Sequence, residues 1–372
     1  MKITFLTTGN IRQIATMKRA LGMADHLADL GHSISIVAMD CHDNREQIAA
    51  ACDRRISVHF YTHSGPLHEM LQKTRIVRNI SPDHLFYCSY SFRNRVWKRM
   101  LPRQMRIAIE HSELSSCIRG QSFFKRMMGA YFERRSLYIA DHIVCASKYL
   151  FFHYKHRVMQ SGMTDKSVSY LPYAYADSIS RPDADLRDAL QVRYGGYVNV
   201  VFMGTMISNY GLFVMLDAIA ALQHAAKPYM LHLLGAGPDL QIAKEYAAAK
   251  GISAHVHFAG YVEEQQLSAY FSMADAFLVP LFNTIQDWAR CPSKTYMYIP
   301  FMKPVFTCRV GESAELFTDE RLFFRSSDSN DLAMKLATLM QPGTHILPDP
   351  AQHTWKRRAE DLSALLTDGF GA

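Results

Sequence analysis

Apolar residues in this chain fall into short runs separated by stretches with helical spacing. Ile3-Thr4-Phe5-Leu6 is the first such run, and Gly9-Asn10-Ile11-Arg12 after it is polar and glycine-marked. Ala20, Leu21, Ala24, Leu27 and Ala28 then recur on one helical stripe, which predicts a helix over residues 17–30. Gly31 follows where a left-handed C-terminal cap belongs. Residues 33–39 return to a continuous run rich in isoleucine and valine. The order strand, loop, helix, strand is the building block of a doubly wound parallel sheet.

The alternation persists. Further strands are predicted at residues 56–61, 85–88, 106–110, 141–147 and 167–172. Residues 178–196 are polar with helical character and read as a linker region. A second series follows, with strands at 198–203, 229–234, 255–258, 276–280 and 304–307. Helices are predicted at 213–224, 241–250, 264–272 and 293–301. This pattern predicts two Rossmann-like doubly wound domains facing a cleft, over residues 1–190 and 191–345. Residues 346–372 are expected to carry a C-terminal helix back to the first domain, with Trp355 as its packing anchor.

Composition narrows the picture. At 372 residues the chain exceeds a typical single core, and 49% hydrophobic residues exclude wholesale disorder. Residues 1–190 hold 27 basic and 17 acidic side chains, and residues 191–372 hold 14 and 17. The net charge of +7 therefore belongs to the first half. The seven cysteines are widely spaced with no Cys-x-x-Cys, as expected of reduced cytosolic thiols. The N-terminal apolar run is too short for a secretory signal, and no stretch approaches the ~18 apolar residues of a membrane span.

The ordered motifs of the second half carry a family resemblance. Leu231-His232-Leu233-Leu234-Gly235-Ala236-Gly237-Pro238 is followed by Val256-His257-Phe258-Ala259-Gly260-Tyr261-Val262. Ala274-Asp275-Ala276-Phe277-Leu278-Val279-Pro280 and Lys303-Pro304-Val305 come next. In the first half, Leu30-Gly31-His32-Ser33-Ile34 and Ala140-Asp141-His142-Ile143-Val144 fit the same series. In order and spacing, residues 1–340 resemble the GT-B glycosyltransferases, in particular the retaining family 4 (group 1) enzymes. The resemblance implies a metal-independent retaining transfer from a nucleoside-diphosphate sugar to an acceptor hydroxyl, in cell-surface polysaccharide or glycolipid synthesis. The nucleotide sugar is a co-substrate, and no separate cofactor or metal is expected.

Candidate site residues follow from the loops. Gly204 and Thr205, Gly235 and Gly237, and Tyr261 and Val262 stand in turns after successive strands, where glycine lets backbone approach a donor nucleotide. Asp287-Trp288-Ala289-Arg290-Cys291-Pro292-Ser293-Lys294 places Arg290 and Lys294 around a helix start. Cations and free N–H groups there suit a departing diphosphate, with Asp287, Pro292 and Ser293 as neighbours. The family usually has two glutamates seven residues apart at this place. Here Ala289 and Met297 occupy those positions, so donor ribose recognition at Met297 must differ. Two cations usual around the first glycine turn are also absent, with Thr205 and Tyr210 in the region instead. Some members carry an Arg-x-Pro-x-Lys run, and Arg290 and Lys294 take that form.

In the first half the resemblance implies that His111 contacts the donor sugar. Glu113 either binds sugar hydroxyls or caps the next segment. Gly9, Asn10 and Arg12 form the loop that related enzymes use near the diphosphate and acceptor. Lys18 and Arg19 read as the polar face of the first helix. Residues 122–135, rich in Phe, Met, Lys and Arg, read either as a basic amphipathic helix on an anionic membrane or as a helix buried on the first sheet. The expected partners are thus a nucleotide sugar and a glycan or lipid-linked acceptor, with an anionic membrane surface as a further candidate and no nucleic acid. The expected location is the cytoplasm, at the inner face of the cell membrane if peripheral. The rival readings are an epimerase-like GT-B enzyme and a catalytically silent sugar-nucleotide-binding partner.

Overall fold

A computed structural model of the protein describes residues 1–11, 16–163, 165–176, 182–340 and 344–367. Two parallel sheets organise the chain. The first contains β1 (Lys2–Leu6), β2 (Ser33–Met39), β3 (Ser57–Tyr61), β4 (His84–Tyr87), β5 (Arg106–His111), β6 (His142–Cys145) and β7 (Ser167–Tyr170), in the order β3-β2-β1-β4-β5-β6-β7. The second contains β8 (Val198–Met203), β9 (Tyr229–Leu234), β10 (Val256–Gly260), β11 (Ala276–Val279) and β12 (Val305–Thr307), in the order β10-β9-β8-β11-β12. Each strand order reverses at the opening strand of its sheet, β1 or β8. Ligands of open α/β sheets bind at such switch points, beyond the carboxyl ends of the strands.

One sequence device recurs at the amino ends. Asp83, Asp141 and Asp275 each immediately precede a strand, and each carboxylate accepts the first free N–H of the neighbouring strand. The bonds are Lys2 N to Asp83 at 2.7 Å, Ile107 N to Asp141 at 2.8 Å and Asn199 N to Asp275 at 2.7 Å. These clamps fix the register of pairs whose side-chain pattern, apolar on both faces, specifies register weakly.

The chain forms two compact units. One comprises Met1–Asp177, Ala289–Cys291 and Ala351–Ala372; the other comprises Ser178–Trp288 and Pro292–Pro350. The segment read as a linker with helical character, 178–196, contains the helix Ala184–Tyr194. Its N-terminus is capped by Asp183, and Leu190 and Tyr194 are buried in the core of the second unit. Position 190 therefore lies inside a helix of that unit, because the buried face of the segment outweighs its polar average.

The C-terminal helix Trp355–Thr367 packs on the helix Thr16–Asp29 of the first unit. Gly22 makes room for it, since a β-carbon there would lie 2.5 Å from the Trp355 ring. Tyr173 meets the same indole edge-on, with centroids 4.9 Å apart. Arg19 is a correction to the sequence reading. It is 1% exposed and forms a 2.8 Å ion pair with Glu110, itself 4% exposed. Its guanidinium also donates to the Leu171 and Pro172 carbonyls. A charged residue ending the apolar strand β5 needs a buried counter-charge, and the adjacent helix supplies it.

The helix Phe123–Ile139 divides the two readings made for it. Phe132, Glu133, Ser136 and Leu137 are buried, as expected of a helix on the sheet. The first two turns project outward instead, with Phe123 81% and Phe124 64% exposed. Met127 and Tyr131 are also exposed, as are Lys125, Arg126, Arg134 and Arg135.

Candidate functional site

In the second unit the candidate site grows from the β8 switch point. Gly204 follows β8 with φ +154°, a backbone conformation open mainly to glycine. The Lys294 ammonium sits directly over this turn. A β-carbon on Gly204 would lie 2.5 Å from Lys294 Nζ. The same ammonium lies 3.9 Å from the Phe202 ring centroid and 5.6 Å from that of Tyr210. These rings hold a cation through their negative faces.

Helical periodicity explains this placement. Lys294 and Tyr298 lie one turn apart on the helix Ser293–Tyr298. Tyr298 stacks on Phe277 with centroids 4.1 Å apart, and its hydroxyl accepts the Met203 N–H at 2.8 Å. The buried tyrosine pins the helix against β8, and the lysine one turn earlier meets Gly204. The helix has only six residues, so its macrodipole is slight. The side-chain cation supplies the electropositive character expected around Pro292 and Ser293.

Gly235 and Gly237 have a packing explanation. A β-carbon at Gly235 would stand 2.0 Å from the Gly204 carbonyl oxygen, and one at Gly237 would stand 2.4 Å from that of Met206. The loops are tied by Met206 N to Ala236 O at 3.0 Å and by Asp239 N to Met206 O at 3.0 Å. Gly235 N donates to Gly260 O at 2.6 Å. These glycines allow three strand-end turns to brace one another. Thr205 and Tyr261 are exposed, and Val262 packs against the core. Met297 also packs against that core. Asp287 is turned inward: it is buried, and its carboxylate accepts the Phe282 N–H at 2.6 Å. Its measurable role is to close the 282–287 turn, contrary to the donor-facing role expected of it.

In the first unit, Gly9 and Asn10 stand at the β1 switch point. Asn44, fully buried, donates to the Gly9 and Met39 carbonyls and accepts the Ile11 N–H. Asn10 donates to Asp43 at 2.6 Å. The loop is thus held from the segment after β2. Arg12 lies outside the described residues.

His111 does not have the geometry expected of a sugar-contacting residue. It is buried and stacks on Tyr154, with ring centroids 4.2 Å apart. Tyr154 OH lies 3.0 Å from Nδ1, and Ser136 Oγ lies 2.9 Å from Nε2. Ser136 Oγ–H donates to the Glu133 carbonyl. The network therefore assigns a neutral ring with its proton on Nε2. Burial, with help from His153 and Arg157, lowers the His111 pKa to about 3. Both ring nitrogens are satisfied within the unit, which is a core role.

Glu113 is different. The short helix after it, Ser115–Cys117, has Leu114 at its N-cap position and no side-chain cap, so the capping reading fails. Desolvation raises its carboxyl pKa; Arg290 opposes the shift and Glu133 adds to it. Glu113 and Arg290 are thereby brought into one electrostatic neighbourhood of the first unit, while Lys294 belongs to the second. Ala289 is fully buried in the first unit's core, and its carbonyl accepts from Ser147 Oγ at 2.6 Å. A glutamate there has no room, so this position is committed to packing.

Comparison with known proteins agrees with the fold. Residues 197–342 match the family described as glycosyl transferases group 1. The match begins at β8 and contains Gly204, Lys294 and all five strands of the second sheet. Over 116 residues the chain is 29% identical to a GDP-mannose-dependent alpha-(1-6)-phosphatidylinositol monomannoside mannosyltransferase of Mycobacterium tuberculosis. That similarity covers 31% of this chain and 30% of the relative, so it spans about a third of either protein.

Solved structures cover the whole fold. Anabaena HepE in complex with UDP-glucose superposes with a TM-score of 0.67 at 13% identity, covering 98% of this chain and 94% of that one. A glycosyltransferase of Rickettsia africae gives 0.69 at 12% identity, over 97% and 93%. The chain thus has the two parallel α/β domains of the GT-B glycosyltransferases. Among the described residues no group of three or more His, Cys, Asp or Glu side chains is arranged to hold a metal ion. No helix among them is long and apolar enough to cross a membrane.

Proposed function

We propose that this protein transfers a sugar from a nucleoside diphosphate to an acceptor hydroxyl with retention of configuration. The observation that carries this reading is the Lys294 ammonium seated over the Gly204 turn at the β8 switch point. A diphosphate laid on that turn meets glycine backbone and a fixed cation together. Loss of the sugar leaves negative charge on the diphosphate, and a preorganised cation there lowers the barrier. The usual cations after β8 are missing, and Lys294 delivers one to the same turn from the helix side.

In the transfer step, the bond between the anomeric carbon and the diphosphate oxygen breaks. The acceptor oxygen bonds to that carbon on the same face, and its proton passes to the departing phosphate. This step needs neither a side-chain nucleophile nor a metal. On the acceptor side, Glu113 and Arg290 are the candidates for orienting hydroxyls, and the Gly9–Asn10 loop, held by Asp43 and Asn44, is a further candidate. His111 supports the end of β5 instead of contacting sugar.

The exposed basic and aromatic turns of the helix Phe123–Ile139 favour an acceptor held at an anionic lipid surface. The GDP-mannose and phosphatidylinositol monomannoside in the mycobacterial relative's name, and the UDP-glucose bound to HepE, are in keeping with such a pair of substrates. A second reading, a silent nucleotide-binding partner, draws on the packing of Ala289 and Met297 where the family's glutamates stand. Incubation with a panel of nucleotide sugars and a lipid extract tests both. Glycosylated lipid that disappears in Lys294→Met supports transfer. Nucleotide binding with neither transfer nor donor hydrolysis supports the silent partner.

A further inference from the structure

A second concave site lies toward the β12 side of the second sheet. It encloses about 600 Å³ at the carboxyl ends of β11 and β12, where Asn283 and Arg309 stand. The sheet order puts β12 two strands from β8, about 10 Å from the Gly204 turn. The pocket therefore shares the ligand-binding edge of the sheet without being part of the diphosphate turn. Its volume falls within the range of small-ligand pockets.

The lining is amphiphilic. Trp288 and Phe323 supply aromatic wall, and the Trp288 indole N–H is fixed by Asn283 Oδ1 at 2.8 Å. Charged side chains supply much of the rest: Arg309 and Arg325 are paired with carboxylates, and the Lys335 ammonium donates to the Glu320 carbonyl. Arg309 bonds Glu320 and lies over the Phe323 ring, with its guanidinium carbon 4.3 Å from the centroid. Arg325 pairs with Asp328 at 2.9 Å and lies 3.5 Å from Asp331. Both arginines remain partly open to solvent, as does Glu320 at 76%.

This arrangement selects among ligand classes. A phosphate or carboxylate must compete with Glu320, Asp328 and Asp331 for Arg309 and Arg325, and with the Glu320 carbonyl for Lys335, while two carboxylates of the lining repel it. An ammonium faces the converse problem. A hydroxyl both donates and accepts, so a vicinal diol bridges a guanidinium and its partner carboxylate without separating them. Hydrogen bonds to charged groups are the stronger kind, and aromatic walls suit the C–H faces of a pyranose ring. We propose that this pocket is a carbohydrate-binding site for a neutral glycan, separate from the nucleotide-sugar site.

Saturation-transfer NMR tests it on the full chain with neutral trisaccharides of glucose, mannose, galactose and N-acetylglucosamine. Sodium citrate and glucose 6-phosphate serve as anionic probes. At least one neutral trisaccharide is expected to bind saturably at concentrations on the order of 10 mM or below. Glu320→Gln and Arg309→Met, both at solvent-exposed positions, are each expected to weaken that binding about fivefold or more. Nucleotide-induced thermal stabilisation, measured in parallel, stays at the wild-type value and reports folding and the donor site separately. Binding of no neutral sugar, equal binding by both variants, or displacement of the sugar by citrate overturns the proposal.

Discussion

The Lys294 ammonium occupies the space that a side chain at Gly204 would fill, and it rests 3.9 Å from the Phe202 ring centroid. The glycine and the lysine are separated by ninety residues of chain, yet they form one surface. Any change at either position is felt by the other.

Gly204→Ala is expected to damage the site through both backbone and side chain. The φ of +154° is strained for alanine, at a cost of order 1–3 kcal/mol, and the new methyl displaces the ammonium. Nucleotide affinity, read by calorimetry, should fall about tenfold or more, while circular dichroism retains the α/β signature. Wild-type affinity in the alanine variant would show that the turn does not receive the ligand.

The Arg19–Glu110 pair makes a stability prediction. Removing one partner of a buried ion pair leaves an uncompensated charge and costs about 3–5 kcal/mol. Arg19→Met and Glu110→Gln should each lower the unfolding free energy by that amount. The double variant should be more stable than the sum of the singles implies, because it buries no lone charge. Strict additivity in a urea-denaturation cycle would contradict the pairing.

Strands such as β1, β8, β9 and β11 were legible in sequence because parallel strands buried on both faces read as continuous apolar runs. Trp355 was legible as an anchor, since a tryptophan opening an amphipathic terminal helix needs a bed. Arg19 and His111 were not. A cation next to another on a helix looks like a solvated face until its counter-charge, on β5, is brought beside it. A histidine ending a strand looks the same whether it faces ligand or Tyr154. Lys294 was legible as a phosphate-binding candidate from its place after Pro292. Its partner surface, Gly204 with Phe202, was not, because the contact depends on Tyr298 pinning the helix.

Acid should destabilise the fold through its buried histidines. Burial lowers His111 and His232 to about 3 and His142 to about 4, against 6.5 in the unfolded chain. Their contribution is fully present above pH 6.5 and is lost as pH falls toward those folded values. Each histidine adds a slope of about 1.4 kcal/mol per pH unit in that window. The thermal midpoint should drop steeply from pH 6.5 to 4.5, and the His111 ring signals in NMR should stay neutral throughout. Titration of His111 near 6.5 would rule out its buried network.

The helix Phe123–Ile139 should govern lipid attachment. Phe123→Ser with Phe124→Ser removes two outward aromatics without touching the buried Phe132 and Leu137. Co-sedimentation with vesicles containing phosphatidylglycerol should fall about tenfold or more, and added salt should weaken the wild type too. Equal sedimentation of both proteins would place any membrane contact elsewhere.

The central claim is that Lys294 on the Gly204 turn holds a nucleoside diphosphate. Isothermal titration of UDP, GDP, ADP and dTDP into the wild type and Lys294→Met tests it most directly, since methionine keeps the packed stem and removes the charge. At least one diphosphate is predicted to bind the wild type, with affinity reduced about tenfold or more in the variant. Equal affinity in the two proteins, or no binding of any of the four, would contradict the account.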